Sequence, residues 1–197
     1  MGKRYKEEHR KILRADEILV GEASGISWKI LDPEPLGYGG VSVVYSAKGD
    51  GKKVAMKLFS PSSRFEKVKT NVLNRFKAEI EAYIELPEHA NLLKCFDYGF
   101  RAEEPWIALE YCSEGTLRDE MEKKDYDEKM AYKRFREILS GLQVIHKHDI
   151  IHRDIKPDNI FIKKGVAKLG DLGAAKLLFK TKMHLTGSSD KLGSEKK

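Results

Sequence analysis

The chain has 197 residues, 41% of them hydrophobic and 35% charged, with a formal net charge of +6. Such a chain can bury a sizeable core, and its composition is that of a globular protein. No apolar run is long enough to span a bilayer, so we expect no membrane partner. The excess positive charge lies in a lysine-rich stretch from Lys163 onward. Because aromatic side chains are absent after Phe179, nucleic acid is an unlikely partner.

The N-terminal residues 1–27 are rich in charge, and we interpret them as an extension that precedes the folded part. A short amphipathic helix from Ile12 to Leu19 would fit their pattern. Farther along, Cys95 and Cys112 lie on strand-like segments without metal-ligand spacing. This cysteine usage indicates reduced thiols and a cytoplasmic location.

Glycines lead into an alternating apolar run between Leu36 and Tyr45. The pattern predicts a hairpin. Since Gly37, Gly39 and Gly40 carry no side chain, backbone amides there could approach phosphate oxygens closely. A plain β-turn would explain the same glycines equally well.

A buried strand is predicted from Val54 to Lys57, and its terminal charge needs a partner. The next segment, from Val72 to Ile84, has apolar residues at helical spacing and predicts a helix with one buried face. Two glutamates on this helix, Glu79 and Glu81, are candidate partners of Lys57. Either glutamate could instead be a solvated surface residue.

Two further segments show regular patterns. Residues from Trp106 to Gly115 predict a strand that runs into a connecting segment. From Tyr126 to His148, apolar residues at helical spacing predict a second long helix whose stripe requires burial.

The run from His152 to Asn159 puts a carboxylate, a lysine and an amide into one tight loop, as Asp154, Lys156 and Asn159. A strand-like segment follows, and then Asp171 stands on a glycine-flanked turn. These are the groups that phosphoryl transfer to a hydroxyl needs. Alternatively, they only cap and solvate a loop.

Taken together, these motifs resemble those of the eukaryotic-type protein kinase family, and Lys156 after Asp154 resembles its serine/threonine branch. The resemblance covers Trp28 to Ala175. It implies an α+β, bilobal fold with a β-rich N-lobe that carries one main helix. It also implies an incomplete helical C-lobe, since the chain ends within the segment that the family uses for activation.

The resemblance divides the chain into four parts. The expected parts are the 1–27 extension, an N-lobe at 28–109, a hinge and partial C-lobe at 110–175 with the catalytic loop and an Asp-Leu-Gly motif, and a basic, mobile tail at 176–197. Part of the stripe on the second long helix should then be exposed.

The family's catalytic roles carry over to matching positions. Lys57 would hold the α- and β-phosphates of ATP, with Glu79 fixing its rotamer. Asp154 would accept or orient the proton of the attacking hydroxyl, and Lys156 would neutralise charge on the moving phosphoryl group. The metal Mg²⁺ would be held by Asn159 and Asp171.

The resemblance also implies a nucleotide-binding surface, in which Ser42 stands where the family has a third glycine. In the Asp-Leu-Gly motif, Leu172 replaces the usual phenylalanine and keeps its apolar character. Arg153 resembles an arginine that organises a phosphorylated activation segment. The expected nucleotide-binding residues are Leu36, Gly37, Tyr38, Gly39, Gly40, Ser42, Val44, Ala55, Lys57, Leu109, Glu110, Cys112 and Phe161.

The predicted function is an ATP-dependent protein serine/threonine kinase, or a naturally shortened form of one, that transfers the γ-phosphoryl group to protein hydroxyls. Its cofactors would be ATP and Mg²⁺, and its substrate a protein of unknown identity. Two alternatives stay open: a catalytically silent ATP-binding regulatory module, or a kinase fragment whose exposed C-lobe is covered by a protein partner.

Overall fold

The computed structural model of the chain describes residues 13–60 and 66–177. Its N-lobe is built on a seven-stranded antiparallel sheet with the order β1-β2-β4-β5-β7-β6, and β3 pairs with β4 at the side. The strands are β1 (Ile18–Val20), β2 (Ser27–Ile30), β3 (Gly37–Tyr38), β4 (Ser42–Gly49), β5 (Lys52–Phe59), β6 (Cys95–Arg101) and β7 (Glu104–Glu110).

Alternation along the central strands separates two faces of this sheet. Val43, Tyr45 and Ala47 of β4 are fully buried and pack with Trp28 and Trp106 in one hydrophobic core. Because successive side chains of a strand point to opposite faces, the residues between them form the other face. Lys57 of β5 lies on that second face, since it pairs with Val44 in the ladder.

Within residues 13–27, Ile18–Val20 form strand β1 at the edge of the sheet. Leu19 is buried while Ile18 and Val20 are exposed, so burial alternates from residue to residue as in a strand. A turn precedes the strand. For the described residues, the expected helix from Ile12 to Leu19 is therefore wrong. The sheet begins before residue 28, where we expected the N-lobe to start. Buried Asp97 holds this segment by accepting hydrogen bonds from Trp28 Nε1 at 2.9 Å and from the Ser24 hydroxyl.

Both predicted long helices are present. The N-lobe contains α1 (Glu66–Glu85), and the C-lobe contains the short α2 (Leu117–Met121) and the long α3 (Glu128–Lys147). Thr116 caps α2 in a reciprocal capping box with Asp119, and the Asp127 side chain caps α3 at the backbone N–H of Met130. These caps satisfy amides that a helix start leaves without partners.

The C-lobe also contains four short strands in two antiparallel pairs, β9 with β10 and β8 with β11. Their bounds are β8 (Ile150–Ile151), β9 (Ile160–Lys163), β10 (Val166–Leu169) and β11 (Lys176–Leu177). Helix α3 packs so closely on β10 that a Cβ at Gly141 would lie 2.9 Å from Leu169. The predicted α+β architecture, with a sheet-rich N-lobe and few helices, is confirmed.

Helix α3 carries two apolar stripes with different environments. Ile145 is fully buried and Ile138 packs against the same core. In contrast, Tyr132, Phe135 and Leu139 are 63%, 57% and 47% exposed. The expectation that part of this helix would be uncovered is confirmed. Within residues 13–60 and 66–177, no helix has the length and apolarity needed to cross a bilayer.

Candidate active site

An ion pair joins the sheet to helix α1. The ammonium group of Lys57 on β5 lies 2.7 Å from Oε1 and 2.9 Å from Oε2 of Glu79. Glu79 is 2% exposed, because α1 turns its apolar face and this carboxylate toward the interior. Glu79, the preferred partner, is therefore the residue that contacts Lys57, and the helix phase directs Glu81 elsewhere.

Asp171 joins this pair from the C-lobe. Its Oδ1 lies 3.0 Å from Lys57 Nζ, and its backbone is left-handed, with φ 56° and ψ 69°. The backbone N–H of Asp171 donates to the hydroxyl of Tyr83 at 3.0 Å. Next to it, Leu172 is 2% exposed and packs in the core, as its apolar character predicted.

One ammonium group thus faces two carboxylates. Burial alone would lower the pKa of Lys57, but Glu79 and Asp171 raise it overall, so the lysine stays charged. Burial raises the pKa of Glu79 while Lys57 opposes that rise. Burial would also raise the pKa of Asp171, but Lys57 lowers it overall. The excess of negative charge favours a cation beside Asp171.

The catalytic-loop residues form a second cluster. Oδ2 of Asp154 accepts hydrogen bonds from Lys156 Nζ at 2.7 Å and from Asn159 Nδ2 at 2.9 Å. The bond from Lys156 lowers the pKa of Asp154 despite a small opposing effect of burial, so Asp154 is a carboxylate at neutral pH. It can therefore accept a proton from a hydroxyl.

Asn159 has the orientation that a metal ligand requires. Its amide nitrogen donates to the backbone oxygen of Asp154 at 2.8 Å as well as to the carboxylate. Because both of those atoms can only accept, the nitrogen must face them, and the amide oxygen is the atom suited to a cation. No group of three or more His, Cys, Asp or Glu side chains suited to a metal occurs among the described residues.

The loop is anchored by His152, whose role the sequence reasoning missed. The imidazole is 1% exposed, and its Nε2 lies 3.0 Å from the backbone oxygen of Gly170. Its Nδ1 accepts from the backbone N–H of Asp154 at 3.3 Å. Nε2 must then carry the proton, so the ring is neutral, and burial lowers its pKa. His152 thus connects the Asp154 loop to the residue before Asp171.

Arg153 contacts the backbone just after the Asp-Leu-Gly motif. Its Nε donates to the backbone oxygen of Ala174 at 2.6 Å, and its Nη2 to that of Ala175 at 3.3 Å. The arginine therefore holds the start of the segment after Asp171. The tail at 176–197 lies outside the described residues, except for Lys176 and Leu177.

The glycine-rich hairpin is present, and Ser42 lies buried in it beside Gly39. The N–H of Gly39 donates to the Ser42 backbone oxygen at 2.8 Å. Ser42 is 4% exposed, and a Cβ at Gly39 would lie 2.7 Å from its hydroxyl oxygen. At Gly37 and Gly40 an added Cβ would meet nothing within 4 Å, so the backbone there is open to a ligand.

The predicted adenine-binding residues lie in two groups. On the sheet, Ala55 pairs with Leu109, and Val44 is the ladder partner of Lys57. Phe161 lies on β9 in the C-lobe, where its ring leaves no room for a Cβ at Gly170. Leu36 and Tyr38, at 49% and 39% exposure, lie on the hairpin side of the sheet.

One backbone group of the hinge is used by the sheet. The N–H of Glu110 donates to the Lys94 backbone oxygen at 2.8 Å, so it belongs to the sheet. The Glu110 carbonyl and the backbone N–H of Cys112 are then the candidate acceptor and donor for an adenine edge. The Glu110 carboxylate pairs with Lys163 at 2.9 Å and Lys168 at 3.1 Å, which the sequence did not indicate.

Comparisons with known proteins agree with this geometry. The family profile described as "Protein kinase domain" matches residues 31–193. The chain is 32% identical over 149 residues to a protein named "Probable serine/threonine-protein kinase zyg-1" from Caenorhabditis briggsae, covering 72% of this chain and 20% of that protein.

Two other relatives have similar identity. Human mitogen-activated protein kinase kinase kinase 4 is 30% identical over 185 residues, which are 88% of this chain and 11% of that protein. Mouse Aurora kinase B is 32% identical over 143 residues, which are 71% of this chain and 40% of that protein. The chain therefore spans less than half the length of these relatives. The family match, together with the site geometry, shows that the chain belongs to the protein kinase family.

Proposed function

We propose that the chain is an ATP- and Mg²⁺-dependent protein serine/threonine kinase. The observation that carries this proposal is that Lys57 Nζ lies within 3.0 Å of carboxylate oxygens of both Glu79 and Asp171. These three residues come from separate segments of the chain. In protein kinases both the lysine–glutamate pair and the aspartate must be in place for catalysis. The donor set also fits its cofactor, since a carboxylate and an amide oxygen suit Mg²⁺ when nucleotide phosphates and water complete the shell.

In the proposed reaction, the oxygen of a substrate serine or threonine forms a bond to the γ-phosphorus of ATP as the bond to the β–γ bridging oxygen breaks. The substrate proton passes to the Asp154 carboxylate, and ADP leaves with the electron pair of the broken bond. Asn159 and Asp171 would hold Mg²⁺, whose positive charge would offset the phosphate charge.

The other residues support this transfer. Lys156 Nζ lies 2.7 Å from the Asp154 carboxylate. From this position its positive charge would stabilise the phosphoryl group as it moves to the substrate hydroxyl. Lys57 would bind the α- and β-phosphates when these replace Asp171 as its second anionic contact. The adenine would lie between the sheet residues Val44 and Ala55 and the ring of Phe161.

The direct test incubates purified protein with γ-labelled ATP, Mg²⁺ and generic protein substrates. We expect label on serine or threonine, and at least a 100-fold loss in Asp154→Asn, which keeps the side-chain shape but cannot take up the proton. Transfer that is equal in the wild type and in Asp154→Asn would overturn the proposal.

A second candidate is an ATP-binding regulatory module without turnover. It is favoured by the uncovered stripe of α3, at Tyr132, Phe135 and Leu139. ATP with Mg²⁺ would then raise the melting temperature without producing phosphoprotein. No stabilisation at millimolar ATP would exclude this candidate.

The same stripe supports a third candidate, in which helices of a protein partner complete the C-lobe and restore activity. Addition of such a partner would switch transfer on and protect the stripe from hydrogen exchange. The cytoplasmic location also stays a proposal, supported by the free thiols of Cys95 and Cys112.

A further inference from the structure

The hydroxyl group of Tyr83 has no part in the reaction described above. Tyr83 lies on the buried face of α1, where its position in the sequence calls only for an apolar side chain. Its hydroxyl nevertheless accepts a hydrogen bond from the backbone N–H of Asp171 at 3.0 Å. The side chain is 6% exposed, so little water can replace that bond.

The backbone of Asp171 needs such support. With φ 56° and ψ 69°, it occupies the left-handed region, which is disfavoured for a residue that carries a Cβ. Such conformations persist only where neighbouring groups hold them. Asp171 is held at its carboxylate by Lys57 Nζ at 3.0 Å and by the backbone N–H of Gly173, and at its own N–H by Tyr83.

Tyr83 and Glu79 act from the same helix. They are four residues apart on α1, so they lie on one face and one turn apart. Glu79 holds the Lys57 ammonium group, and Tyr83 holds the Asp171 backbone. A displacement of α1 therefore disturbs the phosphate-binding lysine and the metal-binding turn together.

We propose that Tyr83 is a positioning residue, whose hydroxyl fixes the Asp171 turn so that the carboxylate faces the position of Mg²⁺. This inference rests on the function proposed above. Without the hydroxyl, the N–H of Asp171 loses its partner beside a buried ring, and the turn can leave the left-handed conformation.

The test compares Tyr83→Phe with Tyr98→Phe, which also removes one hydroxyl from a largely buried ring but on β6, away from the site. The first measurement is amide hydrogen exchange by NMR in the nucleotide-free protein. We expect the Asp171 amide to exchange roughly 3- to 10-fold faster in Tyr83→Phe, the range expected for one hydrogen bond. The Leu169 amide, bonded to the Asn91 backbone oxygen at 2.9 Å, should exchange at the wild-type rate in both variants.

The second measurement is the Mg²⁺ concentration that gives half-maximal phosphoryl transfer at saturating ATP. It should rise roughly 3- to 10-fold in Tyr83→Phe and stay constant in Tyr98→Phe. A purely structural role of Tyr83 would lower the melting temperature and speed exchange at Asp171 and Leu169 alike.

Unchanged exchange at Asp171 in Tyr83→Phe, or equal acceleration at Leu169, would overturn the inference. A wild-type protein that transfers no phosphate would count against the proposed function instead. The exchange experiment still decides the role of Tyr83 in that case, because it uses no nucleotide.

Discussion

Lys57 and Glu79 form a buried ion pair, in which both carboxylate oxygens lie within 2.9 Å of the ammonium group. Their side chains are 15% and 2% exposed. When one partner of such a pair is removed, the other charge stays buried without compensation. Removing one partner therefore lowers the free energy of unfolding by more than the intact pair contributes to it.

We therefore expect Lys57→Met to abolish transfer and also to lower the free energy of unfolding by about 3 to 5 kcal/mol at pH 7.5. Burial raises the pKa of Glu79 even beside Lys57, and loss of the ammonium group will raise it further. Folded Glu79 would then keep a proton that the unfolded chain releases, so the variant loses stability as pH rises through the folded pKa.

Urea unfolding at pH 5 and pH 7.5 measures this difference. Lys52→Met on the same strand is the control, because the exposed pair of Lys52 with Asp50 contributes little. A destabilisation of Lys57→Met that is equal at both pH values would contradict the explanation.

The carboxylate of Glu110 clamps the hinge to the β9–β10 hairpin through Lys163 and Lys168. Burial would raise the pKa of Glu110, but hydrogen bonds from these lysines lower it overall, so the clamp is ionic at neutral pH. In Glu110→Gln we expect the KM for ATP to rise about 3- to 10-fold with little change in kcat, because the hinge carbonyl proposed to bind adenine loses its anchor.

Steady-state kinetics with varied ATP tests this expectation, with Glu103→Gln on the exposed β6–β7 turn as the control. A higher kcat at constant KM would instead mean that the clamp restrains the enzyme.

Neutral His152 should make the protein sensitive to mild acid. Burial lowers the pKa of His152, whereas an unfolded histidine titrates near 6.5. As pH falls through about 6.5, the unfolded chain takes up a proton that the folded protein refuses, so stability falls by up to about 1.4 kcal/mol per pH unit. His152→Gln should show a shallower decline between pH 7.5 and 5.5 in urea titrations, and exposed His146→Gln the wild-type decline. An equal decline of stability with falling pH in all three proteins would contradict the assignment of this effect to His152.

The two stripes of α3 should respond differently to polar substitution. Phe135→Gln combined with Leu139→Gln should leave the melting temperature nearly unchanged and reduce self-association, because both side chains are about half exposed. Ile138→Gln, in the packed stripe, should cost about 2 kcal/mol of stability. Light scattering and thermal unfolding measure both effects. A large drop in melting temperature for the double variant would show that Phe135 and Leu139 are buried against other residues in solution.

Local patterns in the sequence were enough to predict the regular elements. Apolar residues at helical spacing predicted α1 and α3, and glycines before an alternating run predicted the β3–β4 hairpin, because these signals are contained in one segment. The segment from Ile12 to Leu19 misled us, because its apolar residues fit the spacing of a helix, whereas pairing with β2 makes Ile18–Val20 a strand.

The order of the motifs along the chain also determined the family and the candidate site residues. Only the tertiary structure decided which side chains meet. It selected Glu79 over Glu81 through the phase of α1, and it revealed the contacts of Tyr83 with Asp171, of His152 with Gly170 and of Glu110 with two lysines. Those bonds join separate elements of the fold. A hydrogen bond depends on positions in space, and packing of the whole chain sets those positions.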